Sequence, residues 1–329
     1  MRLLTFIAFL IMLNHPALGQ KIEYDIPEDY KNDIDKKDYK KIVDVSIEII
    51  SKRYKIESIK NGAINLIKGQ DMQTFNVHNL IVKCLRLKNK KDWDSVIKEH
   101  YENIFASIDE QKKINPEDFT TIQKYLTLRI YPNKFIEQSG GTEPIVAKSD
   151  LEGTFTVVML DLPGAFSSLD RLLLKLWNKT EKDVFSEAQK NVNKQKMVQV
   201  TKKLPVNEKT DVEVTFIENA DYAASYILDL ENNLPKLVGE WGAVVAIPNK
   251  GITLVCKIDK EHPVDFVNFI QIDKATNEKF YKEHPQPVSD RFFWYYKGKF
   301  TPINVQTDQK GNINVIAPIG LSTLMTEKR

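Results

Sequence analysis

Between residues 211 and 296 the apolar positions of this chain switch between strand and helix spacing four times, and that alternation constrains its fold most strongly. Val212, Val214 and Phe216 alternate with Glu213 and Thr215, the period of a strand buried on one face. Residues 222–230 take up helical spacing. Extended runs at 241–247 and 252–258 follow, joined by the turn Pro248-Asn249-Lys250-Gly251. Residues 263–282 are helical again, and Phe292-Phe293-Trp294-Tyr295-Tyr296 makes a last strand. The order is β-α-β-β-α-β, and a turn at Lys297-Gly298 returns the chain as a final hairpin through 300–305. The expected class is α+β, with mixed or antiparallel sheets and helices packed on one face.

Upstream, Ile42, Val45, Ile49 and Ile50 recur at helical spacing over residues 39–54. Asn61-Gly62 between two short apolar runs signals a hairpin, because both central positions of such a turn need positive φ. A strand at 72–77 and a helix marked by Trp93, Ile97, Tyr101, Ile104 and Ile108 complete a small α+β domain over 38–125. A larger domain over 126–310 opens with a strand at 127–131, halted by Pro132. It continues with a strand at 154–162 and a helix carrying Leu169, Leu172, Leu173 and Leu176. Thr180-Glu181-Lys182-Asp183 then forms a capping-box pattern that starts another helix. The spacing over 211–296 fits a ferredoxin-like or related layer. Residues 20–37 read as a charged linker and 311–329 as a tail.

The first nineteen residues read as a signal peptide. Arg2 precedes an apolar run over 3–13 interrupted only by Thr5, and Ala17-Leu18-Gly19 puts small residues before a cleavage point ahead of Gln20. The run spans about 16 Å as a helix, half of a bilayer core. No other run is long enough for a membrane span, so the mature chain is expected in the periplasm or outside the cell. Forty-seven Lys and Arg against 45 Asp and Glu leave a net charge of +2, which argues against a nucleic-acid partner. Cys84 and Cys256 both lie in apolar surroundings; two buried thiols or one long-range disulfide fit that pattern.

Several short motifs bear on identity: Thr127-Leu128-Arg129-Ile130-Tyr131-Pro132, Leu160-Asp161-Leu162 and Asp221-Tyr222-Ala223-Ala224-Ser225. Ala246-Ile247-Pro248-Asn249, Pro287-Val288-Ser289 and Gly298-Lys299 follow in order. In order and spacing, over about 39–305, the chain resembles the YtpQ-like bacterial proteins of unknown function. The resemblance implies a fold and an extent; that family carries no established activity or catalytic residues to transfer. A secretion signal sets this chain apart from members that look cytosolic.

Common catalytic fingerprints and cofactor motifs are missing: no Gly-rich phosphate loop, no His-Glu-x-x-His, no Gly-x-Ser-x-Gly and no Cys-x-x-Cys. No cofactor is therefore expected. His78, His100, His262 and His284 are too dispersed to suggest a metal site. Arg129 and Tyr131 project from one face of their strand and, with Asp221, Tyr222 and Asn249, form the candidate binding set. Asp161 and Asp221 are the one candidate carboxylate pair for hydrolysis, against turn and capping roles for each. The aromatic strand is either core or a platform for a carbohydrate or peptide. The expectation is a non-enzymatic binding protein whose partner is a protein, peptide or carbohydrate. The alternatives are a hydrolase using Asp161 and Asp221 and a structural subunit of an envelope assembly.

Overall fold

The computed structural model describes residues 21–67, 69–70, 74–138 and 140–327, so the expected signal peptide lies outside the described residues. The chain divides into two compact units, one ending at Asp109 and one beginning at Glu110.

The first unit is a four-stranded sheet in the order β1-β2-β3-β4 with three helices. Its elements are β1 (Lys21–Ile22), α1 (Lys36–Ile50), β2 (Ile56–Lys60), β3 (Ala63–Leu66), β4 (Thr74–Asn76), α2 (His78–Leu85) and α3 (Trp93–Gln111). The hairpin between β2 and β3 turns at Asn61 and Gly62, with φ of 49° and 77°, as its sequence demands. Tyr39, Ile42 and Ile50 of α1 share one core with Ile59, Ile64, Trp93, Ile97 and Tyr101. Of the expected linker over 20–37, the described residues from Lys21 on are folded onto this unit instead. β1 runs parallel to β2, Asp35 caps α1 by accepting from the Asp38 amide, and Ile34 is buried. Its dense charges conceal five anchors: Ile34 is buried in the core, and Ile22, Tyr24, Ile26 and Tyr30 pack against it partly buried.

The second unit begins earlier than expected. α4 (Phe119–Ile122) belongs to it, and Ile122 is buried in its core with Ile114 and Phe119 against it. A four-stranded antiparallel sheet follows: β5 (Leu126–Pro132), β6 (Ala147–Lys148), β7 (Thr154–Leu162) and β8 (Ala165–Ser168), with β7 paired to the other three. Its helices are α5 (Asn133–Gln138), α6 (Leu172–Trp177) and α7 (Glu181–Asn193). The reciprocal capping box at Thr180 and Asp183 forms as expected. On α6 the leucine reading is off by a face: Leu174 and Trp177 are buried, whereas Leu172 and Leu176 are 69% and 56% exposed.

The larger sheet contains six strands: β9 (Val198–Asn207), β10 (Thr210–Glu218), β11 (Ala243–Asn249), β12 (Ile252–Lys257), β13 (Phe292–Tyr296) and β14 (Lys299–Pro302). Between β10 and β11 the expected helix is broken into α8 (Ala223–Tyr226), a 3-10 turn over 227–229 and α9 (Leu230–Asn233). α10 (Asp265–Glu283) joins β12 to β13. The spatial order is β14-β13-β11-β12-β10-β9, antiparallel throughout.

The β-α-β-β-α-β sequence is therefore present, as two interlocked split units. β10 and β11 run parallel with β12 between them, and β12 and β13 run parallel with β11 between them. Two right-handed crossovers in this strand order put their helices on opposite faces of the sheet. The packing agrees. Ala224 and Ile227 share a core with Val245, Val255, Phe293 and Tyr295, whereas Phe266, Phe269 and Ile270 of α10 share another with Val244, Leu254, Phe292 and Trp294. Helices thus accompany both faces, a fuller cover than the one-sided layer the spacing suggested. The physical reason is β11, which is buried at every position.

The aromatic run of β13 is core on both faces, and Trp294 Nε1 donates to the Trp241 carbonyl at 2.8 Å. Gly242 has φ of 87°, and a Cβ there would lie 2.1 Å from the Tyr295 carbonyl, so only glycine admits this close strand approach. The expected tail is also folded. β15 (Asn304–Thr307) pairs with β16 (Ile313–Ile316), and α11 (Ile319–Glu327) buries Leu321 against the α10 core. Both cysteines are free and buried, and burial pushes the Cys84 thiol up to about 11. Among the described residues no helix is long and apolar enough to cross a membrane.

Candidate functional site

Strand alternation on β5 sends Leu128 and Ile130 into the core shared with α7 and leaves Arg129 and Tyr131 on the other face. Arg129 is only 4% exposed, so its charge needs partners. Nη2 donates to Asp221 Oδ1 at 2.8 Å and Nη1 to Gln286 Oε1 at 3.1 Å. The guanidinium lies 3.9 Å from the centre of the Phe166 ring on β8. Lys250 Nζ donates to the same Asp221 oxygen at 2.7 Å.

Asp221 and Tyr222 follow β10 on a tight turn in which Asn219 Oδ1 accepts both of their amides, at 2.9 and 3.0 Å. The Tyr222 hydroxyl reaches back to donate to Asp161 Oδ2 at the end of β7. Four of the six residues singled out in the sequence, Arg129, Asp161, Asp221 and Tyr222, are thus brought into one bonded network.

Tyr131 stands beside the network rather than in it. Its ring stacks on Phe135 of α5, with centroids 4.9 Å apart and planes 12° apart, and Phe135 is half exposed. Asn249 is placed differently from the expectation of a cleft residue. It is buried, its Oδ1 accepts the Gly251 amide at 2.9 Å, and its Nδ2 donates to the Phe280 carbonyl at 3.3 Å. Its role is to build the β11–β12 turn that presents Lys250. Lys250, Gln286 and Phe166 were missed. Lys250 sits within the Pro248-Asn249-Lys250-Gly251 turn, but nothing local to Gln286 or Phe166 marks them.

Burial alone would raise the Asp221 carboxyl, but the bonds from Lys250 and Arg129 outweigh it and hold the group below the usual carboxylate range. Burial first, and then the bond to Asp161, push the Tyr222 hydroxyl well up, so it stays a proton donor. Tyr131 is also raised by burial, with Arg129 opposing. The arrangement is a fixed anion backed by two cations beside a fixed phenol donor. Paired-carboxylate hydrolysis needs one carboxyl protonated and the other ionised; Asp221 is held ionised, so the proton would have to sit on Asp161, whose Oδ2 instead accepts from the Tyr222 hydroxyl. Among the described residues no group of three or more His, Cys, Asp or Glu side chains is arranged to hold a metal ion.

No family model, curated protein or solved structure matches this chain.

Proposed function

We propose that the mature chain is an exported binding protein of the periplasm or cell exterior, and that its ligand is recognised at Asp221 beside the Tyr131–Phe135 aromatic pair. The observation that carries this reading is the state of Asp221. Its side chain is 37% exposed, and both of its ion pairs are made through Oδ1. The carboxylate is therefore a pre-oriented acceptor whose charge is already fixed, which suits hydroxyl or amine donors of a carbohydrate or peptide. Likeness to the YtpQ-like proteins belongs to the same proposal and rests on the order of the short motifs.

Asp221→Asn tests the site, since it keeps the shape and removes the charge. Screening the mature chain against carbohydrate and peptide arrays is expected to yield a ligand with Kd below about 1 mM, weakened at least about tenfold by Asp221→Asn. Finding no ligand that this change weakens overturns the site. Export has its own readout. N-terminal sequencing is expected to find Gln20 first, in protein recovered outside the cytoplasm, and intact Met1 on cytoplasmic protein overturns it. The exposed Leu172 and Leu176, one turn apart on α6, support an envelope-assembly role as the second reading.

A further inference from the structure

On the face of β5 opposite Arg129, a cavity of about 880 Å³ opens between α7, the segment after β6 and the turn into β14, with Leu128 at its wall. Its size lies within the range of small-molecule sites. The charges lining it are unevenly satisfied. Asp150 is paired with Lys148, Glu181 with Arg171, and Asp229 accepts the Asn193 and Asn232 amides. Lys190 is paired with Glu187. Lys182 on α7 and Lys299 on β14 make no ion pair among the described residues, and the printed partners of Asp229 are neutral amides, so the charges left without an ion pair at the cavity are two lysines on different walls against one carboxylate. Ser149, Ser186 and Thr301 add neutral hydroxyls.

We propose that this cleft is a second binding site, separate from Asp221, for an acidic oligosaccharide. Hydroxyl-lined walls suit a polyol, and two unpaired lysines suit its carboxylates. A nucleotide fits less well, because base recognition needs a free aromatic face. Phe185 already carries Lys148 at 4.6 Å over its ring, and Phe300 packs against Tyr295 with centroids 4.9 Å apart.

Calorimetric titration of the mature chain with trigalacturonate, with maltotriose as the neutral counterpart, tests this. Trigalacturonate is expected to bind with Kd below about 1 mM and to weaken at least about tenfold in the double variant Lys182→Ala, Lys299→Ala. Added salt should weaken it too. Both lysines are exposed, so the melting temperature should hold. Lys182→Arg with Lys299→Arg should retain binding, and Asp221→Asn should leave it unchanged. No trigalacturonate binding, equal binding of maltotriose, or loss on Asp221→Asn without loss in the lysine variant overturns the proposal.

Discussion

Arg129→Met is expected to lower the stability of the second unit by about 3 kcal/mol, the low end of what removing one partner of a buried ion pair costs. Methionine fills much of the volume but deletes two charge-assisted bonds. Gln286 Oε1 loses its donor, and Asp221 keeps only Lys250. The low end applies because Asp221 is more than one-third exposed and still has a cation. Arg129→Lys should rescue little, because a point charge cannot hold Asp221, Gln286 and the Phe166 face together. Urea unfolding reads both variants. A loss below about 1 kcal/mol for methionine, or full recovery by lysine, contradicts the account. The same ion pair has a pH signature. A carboxyl lowered on folding contributes stability above the ordinary carboxylate value and loses it as pH falls through the folded one, so the gap between wild type and Arg129→Met should narrow in acid.

Local signals carried far in this chain, and long-range ones did not. Turn chemistry at Asn61-Gly62 and the capping box at Thr180 need only a few neighbouring residues and form as read, and β10 forms with Val212 and Val214 buried against exposed Glu213, although Thr215 is buried too and Phe216 only partly so. Which strand β13 would join was invisible, because β11 and β13 are apolar on both faces and alternation then gives no direction. Pairing β13 with β11 is what separates this sheet from the one-sided layer, and it decides where α10 lies. The candidate site follows the same division. Asp161 and Asp221 stand at element ends, where polar residues are conspicuous. Gln286 meets Arg129 across 157 positions, and only the folded chain reveals it. Charged segments misled in the opposite sense, since buried Ile34 and a few partly buried apolar residues tie down residues 21–37.

Asp273→Asn is expected to stabilise the protein at alkaline pH and to do little near pH 4. Asp273 lies on α10, 4% exposed, and among the described residues its Oδ2 lacks a partner; Asn277, one turn on and fully buried, has an Oδ1 in the same condition. Burial raises the Asp273 carboxyl from 3.8 to about 7. Protonated, it carries a donor for an acceptor on the same helix face. Between those two values the folded protein holds a proton that the unfolded chain has released, so stability falls as pH rises through that window. The penalty is absent below it and complete above it, with a ceiling of roughly 4 kcal/mol at about 1.4 kcal/mol per pH unit. Asparagine keeps the shape, supplies an amide donor and cannot ionise. Urea midpoints of wild type and Asp273→Asn should therefore coincide near pH 4 and diverge by pH 8.5, and parallel curves would refute the neutral acid. The consequence reaches the candidate site through the chain. Asn277 Nδ2 holds the Asp290 carbonyl at 2.8 Å, just before β13, and Gln286 lies in the same connection between α10 and β13. Ionising Asp273 disturbs the anchor at one end of the segment whose other end receives Arg129, so any alkaline loosening of α10 should weaken binding at Asp221 in wild type and spare it in Asp273→Asn.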